Sequence, residues 1–126
     1  MKIMKKIMLF FGLLLSVTIS MAQSSDVVFD TTTFNYGTIV KGAPGDCTFK
    51  FVNKSKTPLI LTNVQASCGC TTPSYPKEAI NPGQSGEILV HYDTQRVGYF
   101  TKTISVSTNK QDTPIVLTIM GEVKEQ

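Results

Sequence analysis

The chain has 126 residues, with 12 Lys and Arg against 9 Asp and Glu, one His and three Cys. Three of the basic residues, Lys2, Lys5 and Lys6, lie within the first 22, so residues 23–126 carry nine basic and nine acidic side chains. A neutral chain without a basic stripe excludes nucleic acid as a partner. About a hundred residues suffice for one small domain and not for two.

Residues 1–22 predict a secretory signal peptide. A basic start is followed by the apolar run Ile7–Thr18 and by the small-residue end Ser20–Ala22, which is the order of such segments. The apolar run is shorter than the roughly 20 residues that span a bilayer. We expect cleavage after Ala22 and a mature chain, 23–126, without a transmembrane segment, in the periplasm or extracellular. The alternative is a membrane anchor that stays attached.

Residues 23–126 predict a single all-β domain. Short extended runs alternate with turn-rich segments at a spacing of about ten residues, which is typical of a β-sandwich. Cys47, Phe49 and Phe51 share one face of such a run, the period of a half-buried strand. The predicted strands are 27–29, 34–40, 47–52, 58–64, 87–92, 100–106 and 114–123. Seven strands with alternating faces indicate an immunoglobulin-like β-sandwich.

The same patterns assign the loops and the inward side chains. Residues 53–56 are predicted as a polar hairpin loop between the third and fourth strands. Prolines, among them Pro73 and Pro82, limit regular pairing over 68–86, which is predicted to be irregular. The inward residues of the last three strands are predicted to be Ile88, Val90, Tyr92, Phe100, Ile104, Val106, Ile115, Leu117 and Ile119, with Gly121 on the same face.

One short motif stands out chemically, Ser67-Cys68-Gly69-Cys70-Thr71. It is followed by Pro82–Ile88, with Gly at the second and fifth positions, by Gly98–Phe100 and by Thr108-Asn109, and it is preceded by Phe34–Ile39. With these segments the chain resembles the bacterial domain-of-unknown-function family 1573, small exported domains. The resemblance covers nearly all of residues 23–126. It implies an immunoglobulin-like sandwich and no particular activity.

The three cysteines allow three single pairings, each of which leaves one thiol free. Cys47 lies on the inward face with Phe49, where a small buried side chain is the ordinary role. If the third and fourth strands form a hairpin about Ser55, the offset between Cys47 and Cys68 is about 16 Å at about 3.3 Å per residue. A bridge needs Cα atoms within about 7 Å. Cys68 and Cys70 are near enough to pair, in a small strained ring in which Gly69 relaxes the backbone.

The sequence offers few candidate residues for metal binding or catalysis. Cys68 and Cys70 as thiolates are weak candidates for a soft ion such as Cu(I), whereas a closed zinc site needs four ligands. The one histidine, His91, is predicted to face outward, away from the motif. No nucleophile has a base and an orienting group nearby in the sequence. We therefore expect no cofactor and no enzymatic activity.

Two hypotheses about function remain. The first is an exported, non-enzymatic module that binds an unidentified protein or envelope component, or that has a structural role in the envelope. The alternative is a thiol-redox or copper-handling protein that acts through Cys68 and Cys70. Counting free thiols with and without reductant, together with metal content, distinguishes the two.

Overall fold

The computed structural model describes residues 25–126, and the predicted signal peptide lies outside this range. The described residues form strands and no helix, which confirms the all-β prediction, with eight strands instead of seven. No helix in this range has the length and apolar character of a membrane span. The strands are β1 (Val27–Phe29), β2 (Thr33–Val40), β3 (Asp46–Asn53), β4 (Leu61–Ala66), β5 (Thr71–Ser74), β6 (Ser85–Tyr92), β7 (Gly98–Thr108) and β8 (Gln111–Lys124).

Two four-stranded sheets make up the sandwich. Sheet A has the order β1-β3-β6-β5 and sheet B the order β2-β8-β7-β4. Neighbouring strands are antiparallel except β2 and β8, which run parallel. The chain passes from sheet A to sheet B between β1 and β2, so the first two strands belong to opposite layers. The two-layer architecture expected from the alternating pattern is confirmed.

The core lies between the sheets and is built from the alternating apolar positions. Phe49 and Phe51 of β3 are fully buried, as are Ile104 of β7 and Leu117 of β8. Each such side chain contributes about 1.5–3 kcal/mol when it leaves water. The predicted inward residues are confirmed as buried, except that Ile115 and Gly121 are only partly buried. Cys47 is also buried beside these phenylalanines, as expected.

The predicted hairpin at 53–56 is wrong, because β3 belongs to sheet A and β4 to sheet B. The chain crosses between the sheets here, and Asn53 anchors the crossing. Its buried amide donates to the carbonyl oxygens of Thr57 at 2.9 Å and Ile80 at 2.8 Å, and its Oδ1 accepts the Ser55 N–H. The fourth strand accordingly starts at Leu61 and not at residue 58.

The segment 68–86 is not wholly irregular, since it contains β5. Pro73 sits in this strand opposite Val90 of β6. The N–H of Asp93 donates to the carbonyl of Cys70, so by alternation the backbone groups of Thr72 face β6 and those of Pro73 face the free edge. An edge strand tolerates a proline whose missing N–H points away from the sheet.

Candidate functional site

The Ser67–Thr71 motif carries the chain from one sheet to the other at a rim of the sandwich. β4 ends at Ala66 in sheet B, and β5 begins at Thr71 in sheet A. On the sheet B side the Ser67 N–H donates to the Thr103 carbonyl at 2.9 Å. On the sheet A side the Cys70 carbonyl accepts the N–H of Asp93, also at 2.9 Å. The motif therefore lies between the end of β4 and the start of β5.

Cys68 and Cys70 form a disulfide within this crossing, with Cα atoms 5.3 Å apart. The two cysteines differ in exposure, because Cys70 is 3 % exposed whereas Cys68 packs against the core only partly buried. The backbone N–H of Cys70 donates to Cys68 Sγ at 3.2 Å. Cys47 is a free, buried cysteine. Of the three pairings that the sequence allowed, this one leaves Cys47 as a core residue.

Thr71 places a buried hydroxyl against both sulfurs. Its Oγ1 lies 3.7 Å from Cys68 Sγ and 3.6 Å from Cys70 Sγ. A disulfide sulfur carries no hydrogen, so the hydroxyl is the donor in both contacts. Within residues 25–126 this hydroxyl has no other hydrogen-bond partner. Its single hydrogen can therefore be given to either sulfur of the motif.

Gly69 is not required by backbone conformation or by space. Its φ is not among the positive values of the described glycines, and a Cβ built on it meets no atom within 4 Å. The expectation that glycine relaxes the bridge finds no support in this geometry. In the chain-entropy model a loop of three residues stabilises the fold by only ~1.6 kcal/mol. By this mechanism the disulfide therefore stabilises the fold only weakly.

The structure brings no third ligand to the two sulfurs. Among residues 25–126 no group of three or more His, Cys, Asp or Glu side chains is arranged to hold a metal ion. His91 lies exposed on the outer face of sheet A, as predicted, with its Nδ1 2.8 Å from Asp46 Oδ1. Thr72, which pairs with His91 in register, points to that outer face, whereas Thr71 points inward.

The buried thiol is not activated for nucleophilic chemistry. Burial raises the pKa of Cys47, and the nearby Asp46 carboxylate adds to the rise. Burial likewise raises the pKa of Tyr36, whose hydroxyl donates to the Gly45 carbonyl at 2.7 Å. Reactive cysteines have a lowered pKa and an accessible sulfur. Cys47 has neither and belongs to the core.

A second feature is the outer face of sheet B, which we call the sheet B platform. In register it includes Thr33, Asn35, Thr38, Val40, Tyr99, Thr101, Thr103, Ser105, Val116, Thr118, Met120, Glu122 and Lys124. Two of these residues are charged, Glu122 and Lys124, and they lie at the end of β8. Tyr99 is 84 % exposed and borders a shallow depression of about 410 Å³ that Met120, Asn35 and Gly121 also line. The corresponding face of sheet A is charged, with Asp46, Lys50, Glu87 and His91.

Sequence reasoning missed the sheet B platform for a physical reason. The outward residues of a single strand, mostly Thr and Ser, look like an ordinary solvated face. The platform is assembled by the parallel pairing of β2 with β8, which sets Asn35 beside Met120. The one local signal was Tyr99, a large aromatic at an outward position next to the inward Phe100.

The two sheets and the disulfide-bonded crossing define a small β-sandwich domain with no helix among its described residues. The chain belongs to the family described as protein of unknown function (DUF1573), whose model matches residues 27–123. That match confirms the resemblance seen in the sequence. No curated protein matches the chain.

Solved structures with the same fold come from distant sources. A protein of unknown function from Porphyromonas gingivalis W83 is 18 % identical with a TM-score of 0.68; the match covers 82 % of this chain and 51 % of that protein. The chain thus spans about half of that protein's length. The ASH / PapD-like domain 7 of human CEP192 is 9 % identical with a TM-score of 0.68, over 82 % of this chain and 88 % of that domain. The Pseudomonas aeruginosa CupB2 chaperone is 10 % identical with a TM-score of 0.57, over 76 % and 55 %.

Proposed function

We propose that this chain is an exported, non-enzymatic binding module whose protein partner docks on the sheet B platform. The observation that carries the proposal is Tyr99, an 84 % exposed aromatic residue that borders a depression together with Met120. Tyr is enriched among the residues that dominate binding energy, and a neighbouring depression offers a place for a partner side chain. The alternative, a purely structural role in the envelope, does not account for this exposed tyrosine.

The charge distribution supports the same face. Interface cores are enriched in aromatic residues and Met and are depleted in charged side chains. The sheet B platform has this character around Tyr99 and Met120, and its two charged residues, Glu122 and Lys124, lie toward the end of β8. The outer face of sheet A instead pairs Asp46 with His91 and Lys50 with Glu87, the composition of a solvated surface.

The absence of a nucleophile paired with a base among the described residues supports a binding role. Asp46 and His91 form the orienting pair that a hydrolase uses, but no hydroxyl or thiol within residues 25–126 hydrogen-bonds to the remaining ring nitrogen. Both side chains are largely exposed, His91 at 58 % and Asp46 at 72 %. Nucleophilic catalysis needs a nucleophile within hydrogen-bond reach of its base.

Export rests on the sequence of residues 1–22 and on the chemistry of the motif. The basic, apolar and small-residue order is that of a signal peptide. A disulfide persists in the periplasm or outside the cell, whereas cytosolic thiols are kept reduced. We place the mature domain in one of these compartments.

Affinity capture with matched variants tests the proposal. Wild type, Tyr99→Ala and Leu89→Ala are immobilised, and retained envelope proteins are identified and then purified for binding measurements. Leu89 is the control because it is 50 % exposed on the outer face of sheet A. We expect Tyr99→Ala to weaken binding of a purified partner at least tenfold and Leu89→Ala to change it less than twofold. Equal binding by both variants, or no partner for wild type, contradicts the proposal.

A further inference from the structure

We propose that the Cys68–Cys70 disulfide is a thiol-exchange site that accepts two electrons from a dithiol of another exported protein. This function is a stoichiometric exchange of one disulfide for one substrate dithiol, and it is separate from docking on the sheet B platform, because the sulfurs lie at the rim where the chain crosses between the sheets. It rests on three features of the motif, namely the unequal access to the two sulfurs, the donors around them, and the anchoring of the crossing by backbone hydrogen bonds.

Access decides which sulfur is attacked. Thiol–disulfide exchange begins when a thiolate approaches one sulfur and the other leaves. Cys70 is 3 % exposed and Cys68 is only partly buried, so Cys68 is the cysteine that an incoming protein thiolate attacks. A bond forms between the substrate sulfur and Cys68 Sγ, the Cys68–Cys70 bond breaks, and Cys70 leaves as a thiolate. The Thr71 hydroxyl, 3.6 Å from Cys70 Sγ, donates to that charge.

The second step releases Cys68. The other thiolate of the substrate attacks its own sulfur in the mixed disulfide, which closes the substrate disulfide and expels Cys68 as a thiolate. The Cys70 N–H, 3.2 Å from Cys68 Sγ, and the Thr71 hydroxyl, 3.7 Å away, are positioned to hold this charge. The two protons of the substrate dithiol end on Cys68 and Cys70. The substrate has lost two electrons, and the motif has gained them.

The surrounding backbone allows this cycle without unfolding. Ser67 is tied to Thr103 of sheet B, and Cys70 is tied to Asp93 beside sheet A, each by a backbone hydrogen bond of 2.9 Å. These hydrogen bonds do not involve sulfur, so the backbone of the crossing keeps the same path when the disulfide opens. Donors placed at both sulfurs stabilise each thiolate as it leaves more than the uncharged disulfide, because charge-assisted hydrogen bonds are the stronger ones.

The first test measures the redox equilibrium of the folded wild-type protein. Protein exported to the periplasm is equilibrated with mixtures of reduced and oxidised glutathione, free thiols are alkylated, and the modified cysteines are located by mass spectrometry. Near-ultraviolet circular dichroism follows the aromatic core in the same samples. We expect Cys68 and Cys70 to become reduced together at millimolar glutathione with Cys47 unmodified and the aromatic signal retained. A motif that is reduced only when the core unfolds, or that never oxidises, overturns the proposal.

Matched variants test the roles of the sulfurs and of the donor. Thr71→Val removes the hydroxyl and keeps the shape, and Thr72→Val is its control on the exposed face. With dithiothreitol as the reductant, we expect Thr71→Val to slow reduction at least fivefold and Thr72→Val to change it less than twofold. With oxidised glutathione as the probe, folded Cys70→Ser should form a mixed disulfide at least tenfold faster than folded Cys68→Ser. Equal rates in either comparison overturn the assignment.

Discussion

The ring of Tyr92 stacks on the ring of Phe100, with centroids 3.8 Å apart and an angle of 11° between the planes. Tyr92 ends β6 in sheet A, and Phe100 lies near the start of β7 in sheet B, so this contact joins the two layers. Thr71 is the register partner of Tyr92. The stacked pair therefore joins the sheets at the end of β6 that pairs with the start of β5, next to the disulfide-bonded crossing.

Two adjacent residues on opposite faces of β7 separate stability from binding. We expect Phe100→Ala to lower the free energy of unfolding by about 3–5 kcal/mol, since it removes a buried ring from a packed interface. Tyr99→Ala should change it by less than about 0.5 kcal/mol, because Tyr99 is 84 % exposed. Urea unfolding followed by circular dichroism measures both. A larger loss for Tyr99→Ala than for Phe100→Ala would mean that the faces of β7 are assigned the wrong way round.

Two glycines of different environment give a second prediction. A Cβ on Gly45 would collide with the backbone carbonyl oxygen of Tyr92, which is fixed because the Tyr92 N–H donates to the Gly45 carbonyl at 2.8 Å. We expect Gly45→Ala to destabilise the domain by more than about 2 kcal/mol. Gly69→Ala should be neutral or stabilising by a few tenths of a kcal/mol, since the site is open and alanine restricts the unfolded chain. Thermal melts measure the stability of the two variants. An equal loss of stability in both would contradict the close contact assigned to Gly45 and the open space assigned to Gly69.

Much of the fold was predictable because burial follows local alternation. Phe49 and Phe51 on β3, and Ile88 and Val90 on β6, have a period of two that any sheet pairing preserves. Pairing itself is a long-range property. Nothing near residues 53–56 indicates that β3 and β4 part into different sheets, because the decisive bond joins the buried Asn53 amide to Ile80, far along the chain.

The candidate site was predictable in its residues but not in its arrangement. The Cys68–Cys70 pairing was one of three possibilities, and the strand β5 beside it was hidden by Pro73. A proline argues against a central strand, and the sequence does not reveal that β5 lies at an edge. The contact of Thr71 with both sulfurs depends on side-chain geometry that spacing alone cannot specify.

The N-terminus of the mature protein is a third prediction. Because the predicted signal peptide ends at Ala22, we expect the exported protein to begin at Gln23. Intact mass and N-terminal sequencing of protein from the periplasm or medium measure this directly. As a control, replacing the apolar run with polar residues should leave the full-length chain in the cytoplasm. Exported material that retains residues 1–22 contradicts the prediction.

Stability should fall in alkaline solution because of Cys47. Burial raises the pKa of this thiol above its ordinary value of about 8.5, so between the two values the unfolded chain loses a proton that the native state keeps. The contribution of the neutral Cys47 thiol to the free energy of unfolding is complete below about pH 8.5. Above that pH the free energy of unfolding declines, by up to about 1.4 kcal/mol per pH unit. Urea unfolding from pH 7.5 to 9.5 measures the slope, and Cys47→Ala should flatten it. An unchanged slope in that variant would assign the effect to other groups.

Removing the disulfide should leave both the fold and partner binding in place. Cys68→Ser combined with Cys70→Ser is expected to lower the free energy of unfolding by about 2 kcal/mol or less, because the closed loop has only three residues. The backbone bonds from Ser67 to Thr103 and from Asp93 to Cys70 remain in the variant. Circular dichroism checks the fold, and binding of the purified partner checks the sheet B platform. A well-folded double variant that loses its partner would place the binding surface at the motif and away from Tyr99.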